Sequence, residues 1–410
     1  VQALAPVSPE RARQVLLEAF YAALASVEPR SAVARAVDEH RRLFGAGSIG
    51  VVAIGKAAGP MVWGAHDALG DRLTSGIAVG QESVETPNGI AWHTGSHPTP
   101  DERSEAAGRA VAEYLRTTGA DFVLFLISGG GSAIAEIPPE GVTIDELASI
   151  QQRLLHSGTP IDELNLVRRS LSLVKNGRLL EHVRAPHLSL LISDVGDAGP
   201  EVIASGPTLP ASTAAKAVRA VLAQTGIEVS EALANHLATL RPVQPNEAFA
   251  VVADGWSAAQ AAADVLQASG QEVSLAQRHF SGEARRTASA LVRGATPGFT
   301  VAPGEATVTV TGDGRGGRNT EAALAVAIAI DGRDDVVFAA LSTDGVDGSS
   351  DATGAIVDGG STQRMRDAGV SPEASLMNNN SHPALRSSGD LIHTGPTGTN
   401  VADLWMVWRR

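Results

Sequence analysis

The chain has 410 residues, of which 43 % are apolar and 19 % charged, with a net charge of −13. That length suggests two or three domains with ordinary cores, and the acidic balance argues against nucleic acid, whose phosphates demand basic stripes. With no cysteine there are no disulfides or thiolate metal sites, and no apolar run approaches the ~20 residues that span a bilayer.

Val1–Pro9 lacks the basic and apolar regions of a signal peptide. Together with the absence of cysteine, this makes a cytoplasmic protein the expectation. Ser8, Pro9 and Glu10 cap and open a helix whose apolar face is Val15, Leu16, Ala19, Phe20, Ala23 and Leu24. Val51–Ile54, Phe122–Ile127 and Leu188–Ile192 then read as buried strands alternating with helices, which indicates a parallel sheet covered on both faces.

Ligands in such sheets bind beyond the carboxyl ends of the strands, and the polar segments fall there. Gly55-Lys56 after the first strand can set an ammonium beside a phosphate. Ser128-Gly129-Gly130-Gly131-Ser132 after the second lets bare amides approach an anion, without being a P-loop. Arg168, Lys175 and Arg178 form the most basic stretch, and the spacing of Arg168 and Lys175 puts them on one helical face. Ser193-Asp194 ends the third strand, where Asp194 suits Mg²⁺ or a turn cap, and Ser205-Gly206-Pro207-Thr208 follows.

Arg241–Asn246 reads as a linker, giving domains at 1–240 and 241–410. The second is expected to carry strands at Ala248–Ala253, Ala306–Val310, Val336–Leu341 and Leu391–Thr394 and a helix at Glu321–Ile330. Gly312, Gly314 and Gly317 match the dinucleotide fingerprint, which leaves a nicotinamide-dependent reductase as an alternative. Arg315 and Arg318 within the same loop suit a carboxylate or phosphate instead. Asp344, Asp347 and Asp351 at a strand end suit a general base and a metal ligand. Thr394–Asn400 offers hydroxyls and an amide to an anion or hydroxy acid.

Taken in order, Ile54–Ala58, Ile127–Ser132, Ser193–Val195, Ile203–Thr208, Gly314–Asn319, Ser342–Gly345 and Thr394–Asn400 resemble the class II glycerate kinases, the glycerate 2-kinase family with a MOFRL-type C-terminal domain. The resemblance spans nearly the whole chain. It departs at Asp194-Val195-Gly196-Asp197-Ala198-Gly199, where the family has Asp-Val-Pro-Gly-Asp-Asp.

The resemblance implies two α/β domains: a Rossmann-like N-terminal domain with helices on both faces of a parallel sheet, and a smaller C-terminal α/β domain, with the active site in the cleft between them. It implies ATP- and Mg²⁺-dependent phosphorylation of D-glycerate to 2-phosphoglycerate, with Lys56, Arg318 and Asp344 catalytic. The cofactor set expected is Ser128, Gly129, Gly130, Gly131, Ser132, Lys175, Gly206 and Thr208, with Asp194 on the metal. Arg315, Asn319, Thr397, Thr399 and Asn400 are expected at the substrate. The partners are D-glycerate and ATP, with no nucleic acid and no membrane, and a homodimer is compatible. Because some family members carry a hydroxypyruvate reductase label, an NAD(P)H-dependent hydroxypyruvate reductase stands as the alternative, beside a non-catalytic binder of phosphorylated metabolites.

Overall fold

The computed structural model describes residues 7–211 and 215–410. Residues 1–6 of the stretch read for a signal peptide lie outside the described residues. The chain divides into two compact units: Pro29–Val252, and the residues up to Glu28 together with Ala253–Arg410. The helix Pro9–Ser26 therefore belongs with the C-terminal residues, not with the first 240. It is capped by Ser8, whose side chain accepts from the Arg11 amide, and buries Val15, Leu16, Ala19, Phe20 and Ala23.

In the first unit the strands are β1 (Ile49–Ile54), β2 (Leu73–Gly80), β3 (Ile90–Thr94), β4 (Phe122–Ile127), β5 (His187–Ile192) and β6 (Phe249–Ala253). Among the described residues they form one sheet ordered β3-β2-β1-β4-β5-β6. The registered pairs β1–β2, β1–β4, β2–β3 and β4–β5 are parallel. β1 and β4 are buried along their whole length, as central strands covered on both faces must be. Val52, Ile54, Val79, Phe125 and Ile127 form the core with Val111 and Leu115 of the helix Glu102–Thr117. A second apolar cluster joins the helices Ile144–His156, Ile161–Ser170, Ala215–Gln224 and Glu231–Ala238.

β6 was expected in the second domain. It instead closes the first sheet, where the Ser189 amide donates to the Ala248 carbonyl at 2.9 Å. The Pro-containing segment before it looks like a domain linker but only leads into an edge strand.

The second unit holds β7 (Val273–Leu275), β8 (Phe280–Glu283), β9 (Gly298–Thr307), β10 (Val336–Ser342), β11 (Gly354–Asp358), β12 (Leu391–Ile392) and β13 (Asp403–Arg409). The sheet is mixed and runs β12-β11-β10-β13-β9-β7, with β8 also on β9. β13 pairs antiparallel with both β10 and β9, and brings Trp405 onto Phe280 in a stacked pair 3.8 Å apart. The strand expected at Ala306–Val310 lies earlier, at β9, with Pro303 and Gly304 inside it. The helix Arg318–Ala329 starts three residues before the position expected from sequence. No helix of the described residues is long and apolar enough to cross a membrane.

Candidate active site

In the first sheet the strand order reverses between β1 and β4, which is where an open α/β sheet leaves its crevice. The two turns beyond these strands are bonded to each other. The Lys56 amide donates to the Gly129 carbonyl at 3.0 Å, the Ser128 amide to the Ile54 carbonyl at 3.0 Å, and the Ala57 amide to Ser128 Oγ at 3.1 Å.

The glycines of this turn are required by what lies on them. A Cβ at Gly129 would stand 2.0 Å from Asp194 Oδ2, and one at Gly130, where φ is +83°, would stand 2.9 Å from Lys56 Cγ. So the Asp194 carboxylate and the stem of Lys56 rest directly on the glycine turn. Gly131 opens the short helix Gly131–Ile134, and Ser132 Oγ is 2.8 Å from Ser205 Oγ. Ala204 and Ser205 both have positive φ, +51° and +61°, a strained backbone of the kind that collects at functional sites. Lys56, Ser128–Ser132 and Asp194 thus lie together at one turn.

Two residues absent from the expected set complete the charge pattern. His97 follows β3, and burial, with Lys56 and Arg168 nearby, lowers its pKa below the usual imidazole range. Burial also lowers the pKa of Arg168, with Glu136 opposing, and its buried Nε has no hydrogen-bond partner. Three basic side chains therefore gather at these strand ends. The position of His97 just past a strand's carboxyl end is the one sequence signal that could have found it.

Other expected members have different roles. Lys175 is 1 % exposed, and its ammonium is ion-paired with the equally enclosed Glu136. It shares no helical face with Arg168, because that helix ends at Ser170. Arg178 donates to the carbonyls of Arg169 and Ser172. The Thr208 hydroxyl accepts from Ser189 Oγ at 2.9 Å, and the Gly206 carbonyl accepts from the Gly177 amide. Lys175, Gly206 and Thr208 thus hold the fold around the pocket.

In the second unit Arg318 opens the helix Arg318–Ala329 and is held by carboxylates. Its Nε and Nη2 donate to Asp403 at 2.6 and 3.0 Å, and its Nη1 donates to Glu305 at 2.5 Å. Burial opposes its charge, but these acids hold its pKa above the usual value. Complete burial pushes the Asp403 carboxyl up to about 6, while Arg318 pulls the other way. Asp403 pairs with Ser342 across β10 and β13. Ser342 Oγ in turn donates to Asp344 Oδ1 at 2.7 Å, beside the Val346 amide at 2.9 Å. Asp344 is half-buried, and its carbonyl accepts the Thr397 amide. Arg318, Asp344 and Thr397 therefore meet around one strand end.

The three aspartates of this turn do three different things. Asp347 is buried and caps the Arg318 helix, accepting from the amides of Asn319 and Thr320 and from the Thr320 hydroxyl. Asp351 is exposed and bonded by Arg315 at 3.0 Å. Asn319 is fully buried between Asp347 and Trp405 Nε1, the Thr399 hydroxyl donates to the Val27 carbonyl, and Asn400 Oδ1 accepts the Ala402 amide. Asn319 thus ties two side chains together, and Thr399 and Asn400 hold backbone in place.

The Gly312–Gly317 loop does not form a dinucleotide turn. The Gly312 amide donates to Asn379 Oδ1, the Gly314 amide to the Asn378 carbonyl, and the Gly316 amide to Ser349 Oγ. These bonds spend the loop's amides on its own neighbours.

Residues 15–238 match the domain of unknown function DUF4147, and residues 298–403 match the MOFRL family. The D-glycerate 2-kinase of Thermotoga maritima is 35 % identical over 97 % of this chain and 98 % of its own length. The chain belongs to the glycerate 2-kinase family. The family's glycerate 2-kinase from Pyrococcus horikoshii is 34 % identical over 87 % of this chain and 86 % of its own. A protein of Agrobacterium vitis that carries a hydroxypyruvate reductase name is 37 % identical over 96 % and 93 %. The crystal structure of glycerate kinase from Thermotoga maritima superposes with a TM-score of 0.90 at 34 % identity, covering 98 % of this chain and all of that one. The DUF4147 match spans Lys56 and the glycine turn, and the MOFRL match runs from β9 to the first residue of β13, where Asp403 holds Arg318.

Proposed function

We propose that this chain is an ATP- and Mg²⁺-dependent kinase that converts D-glycerate to 2-phosphoglycerate. Full-length relatives named glycerate 2-kinase support the reaction. The observation that supports the phosphate site is the glycine turn at the ends of β1 and β4. There the Lys56 stem lies on Gly130 and a single carboxylate, Asp194, lies on Gly129.

Phosphoryl transfer asks a protein for positioning and charge neutralisation more than covalent chemistry. Lys56 and the turn Gly129–Ser132 hold the ATP phosphates, with Arg168 adding positive field. Mg²⁺ takes one or two carboxylates plus phosphate oxygens, so the hard oxygen donor of Asp194 at the glycine turn fits it. When bound, the ion spreads negative charge on the transferred group. Arg318 spends three of its five N–H bonds on Asp403 and Glu305 and directs the remaining two at the glycerate carboxylate. Asp344, oriented through Oδ1, accepts the proton of the glycerate hydroxyl. That oxygen bonds to the γ-phosphorus as the bond to the ADP oxygen breaks. The substrates are small metabolites, and the cytoplasm is the proposed place of action.

ADP release measured across small hydroxy acids, with phosphorus NMR of the product, tests this. Glycerate-dependent ADP release and a 2-phosphate product are expected. Oxidation of NADH by hydroxypyruvate without ADP release would support the reductase, and ligand binding without turnover of either would leave a binding protein.

A further inference from the structure

Asp351, His382 and His393 come from three separate segments of the second unit: the loop after β10, the helix Ser381–Ser387, and the residue after β12. Their ligand atoms lie within 4.8 Å of one another. His382 is 2 % exposed. Its buried Nε2 makes no hydrogen bond, although Asp351 Oδ1 stands only 2.8 Å away. The two atoms are close but poorly aligned for a hydrogen bond, and a buried nitrogen left in that state is costly. A cation among the three ligand atoms would satisfy it.

We propose that Asp351, His382 and His393 form a binding site for a late first-row divalent ion of the zinc or cobalt type. Two imidazoles and one carboxylate suit such ions, whereas Mg²⁺ prefers oxygen alone, so the site is separate from the metal that accompanies ATP. Asp351 and His393 are exposed, which gives the ion a route in and leaves room for water ligands. The site stands independently of the kinase reading. Occupied, it ties the three segments together beside the Arg315 loop, since the His382 amide donates to the Arg315 carbonyl at 3.0 Å. Arg315 is the resident competitor, donating to Asp351 Oδ1 at 3.0 Å and to the Ser349 carbonyl at 3.1 Å.

The test is titration of the chelator-treated full chain with Co²⁺, followed by its visible d–d absorption, and X-ray absorption of the zinc form. One ion with two imidazole ligands is expected. His393→Ala and Asp351→Asn, both at exposed positions, should weaken binding by at least about tenfold, while Arg315→Ala should tighten it by removing the competing cation. Folding of each variant is checked by circular dichroism. No uptake by the wild type, all-oxygen coordination, or unchanged affinity in folded His393→Ala and Asp351→Asn would overturn the proposal.

Discussion

The two units treat their key cations in opposite ways. Around Lys56 the neighbours are Arg168 and His97, with Asp194 on the facing glycine and no acid bonded to the Arg168 Nε. Around Arg318, two carboxylates are already bonded. Such a gathering of cations is suited to a multiply charged ligand that arrives and leaves. An arginine fixed in its plane by a bidentate acid keeps its charge, has it offset by that acid, and gains direction. It is suited to orienting a small carboxylate. Under the proposed function, this contrast gives phosphate to the Lys56 turn and the glycerate carboxylate to Arg318.

The largest expected effect sharpens the second half of that contrast. Asp344→Asn should lower kcat by about 10²–10⁴-fold, the usual contribution of a general base, with ATP affinity unchanged. Normal turnover would place the base elsewhere. Glu136→Gln removes the partner of the enclosed Lys175. It should cost about 3–5 kcal/mol of stability, because a buried charge is left unpaired. An unchanged melting temperature would mean that Lys175 reaches solvent or ligand after all.

Asp403→Asn keeps the shape but ends the bidentate pair, and should raise KM for glycerate more than KM for ATP. The wild type should drift the same way as pH falls through about 6, where burial places the Asp403 carboxyl, since protonation also neutralises it. The sign for stability is the reverse. A carboxyl whose pKa is raised on folding contributes most below its unfolded value of about 4 and loses that contribution as pH rises through the folded value. A pH profile of KM for glycerate that is flat across this range would show that Arg318 does not depend on Asp403.

The smallest effect concerns His97. Its proton NMR titration should fall below the ordinary imidazole range, and phosphate or a non-hydrolysable ATP analogue should raise it, because a nearby anion favours the imidazolium. Because its pKa is lowered in the fold, His97 should make the protein less stable as pH falls through the unfolded value of about 6.5. A titration indifferent to phosphate would remove His97 from the pocket.

The legible part of this molecule was local. Continuous apolar strands such as Phe122–Ile127, followed at once by glycines, announce both the sheet and the turns beyond its central strands. What escaped was set by partners far along the chain. Lys175 reads as a basic phosphate ligand until Glu136, 39 residues earlier, encloses it. Arg318 reads as a free cation until Asp403, 85 residues later, takes two of its N–H groups. Asn319 and Thr399 look like polar ligand groups but spend themselves on Asp347, Trp405 and the Val27 carbonyl. β6 was given to the wrong unit because a proline-bearing approach to an edge strand has the same composition as a linker.

The most direct test is equilibrium binding of a non-hydrolysable ATP analogue with Mg²⁺ to the wild type, Lys56→Ala and Arg318→Lys, the last keeping a cation beside Asp403. The assignment of phosphate to the Lys56 pocket predicts at least about a tenfold loss for Lys56→Ala, or 1.4 kcal/mol, and little change for Arg318→Lys. Nucleotide affinity that survives Lys56→Ala and collapses in Arg318→Lys would contradict it.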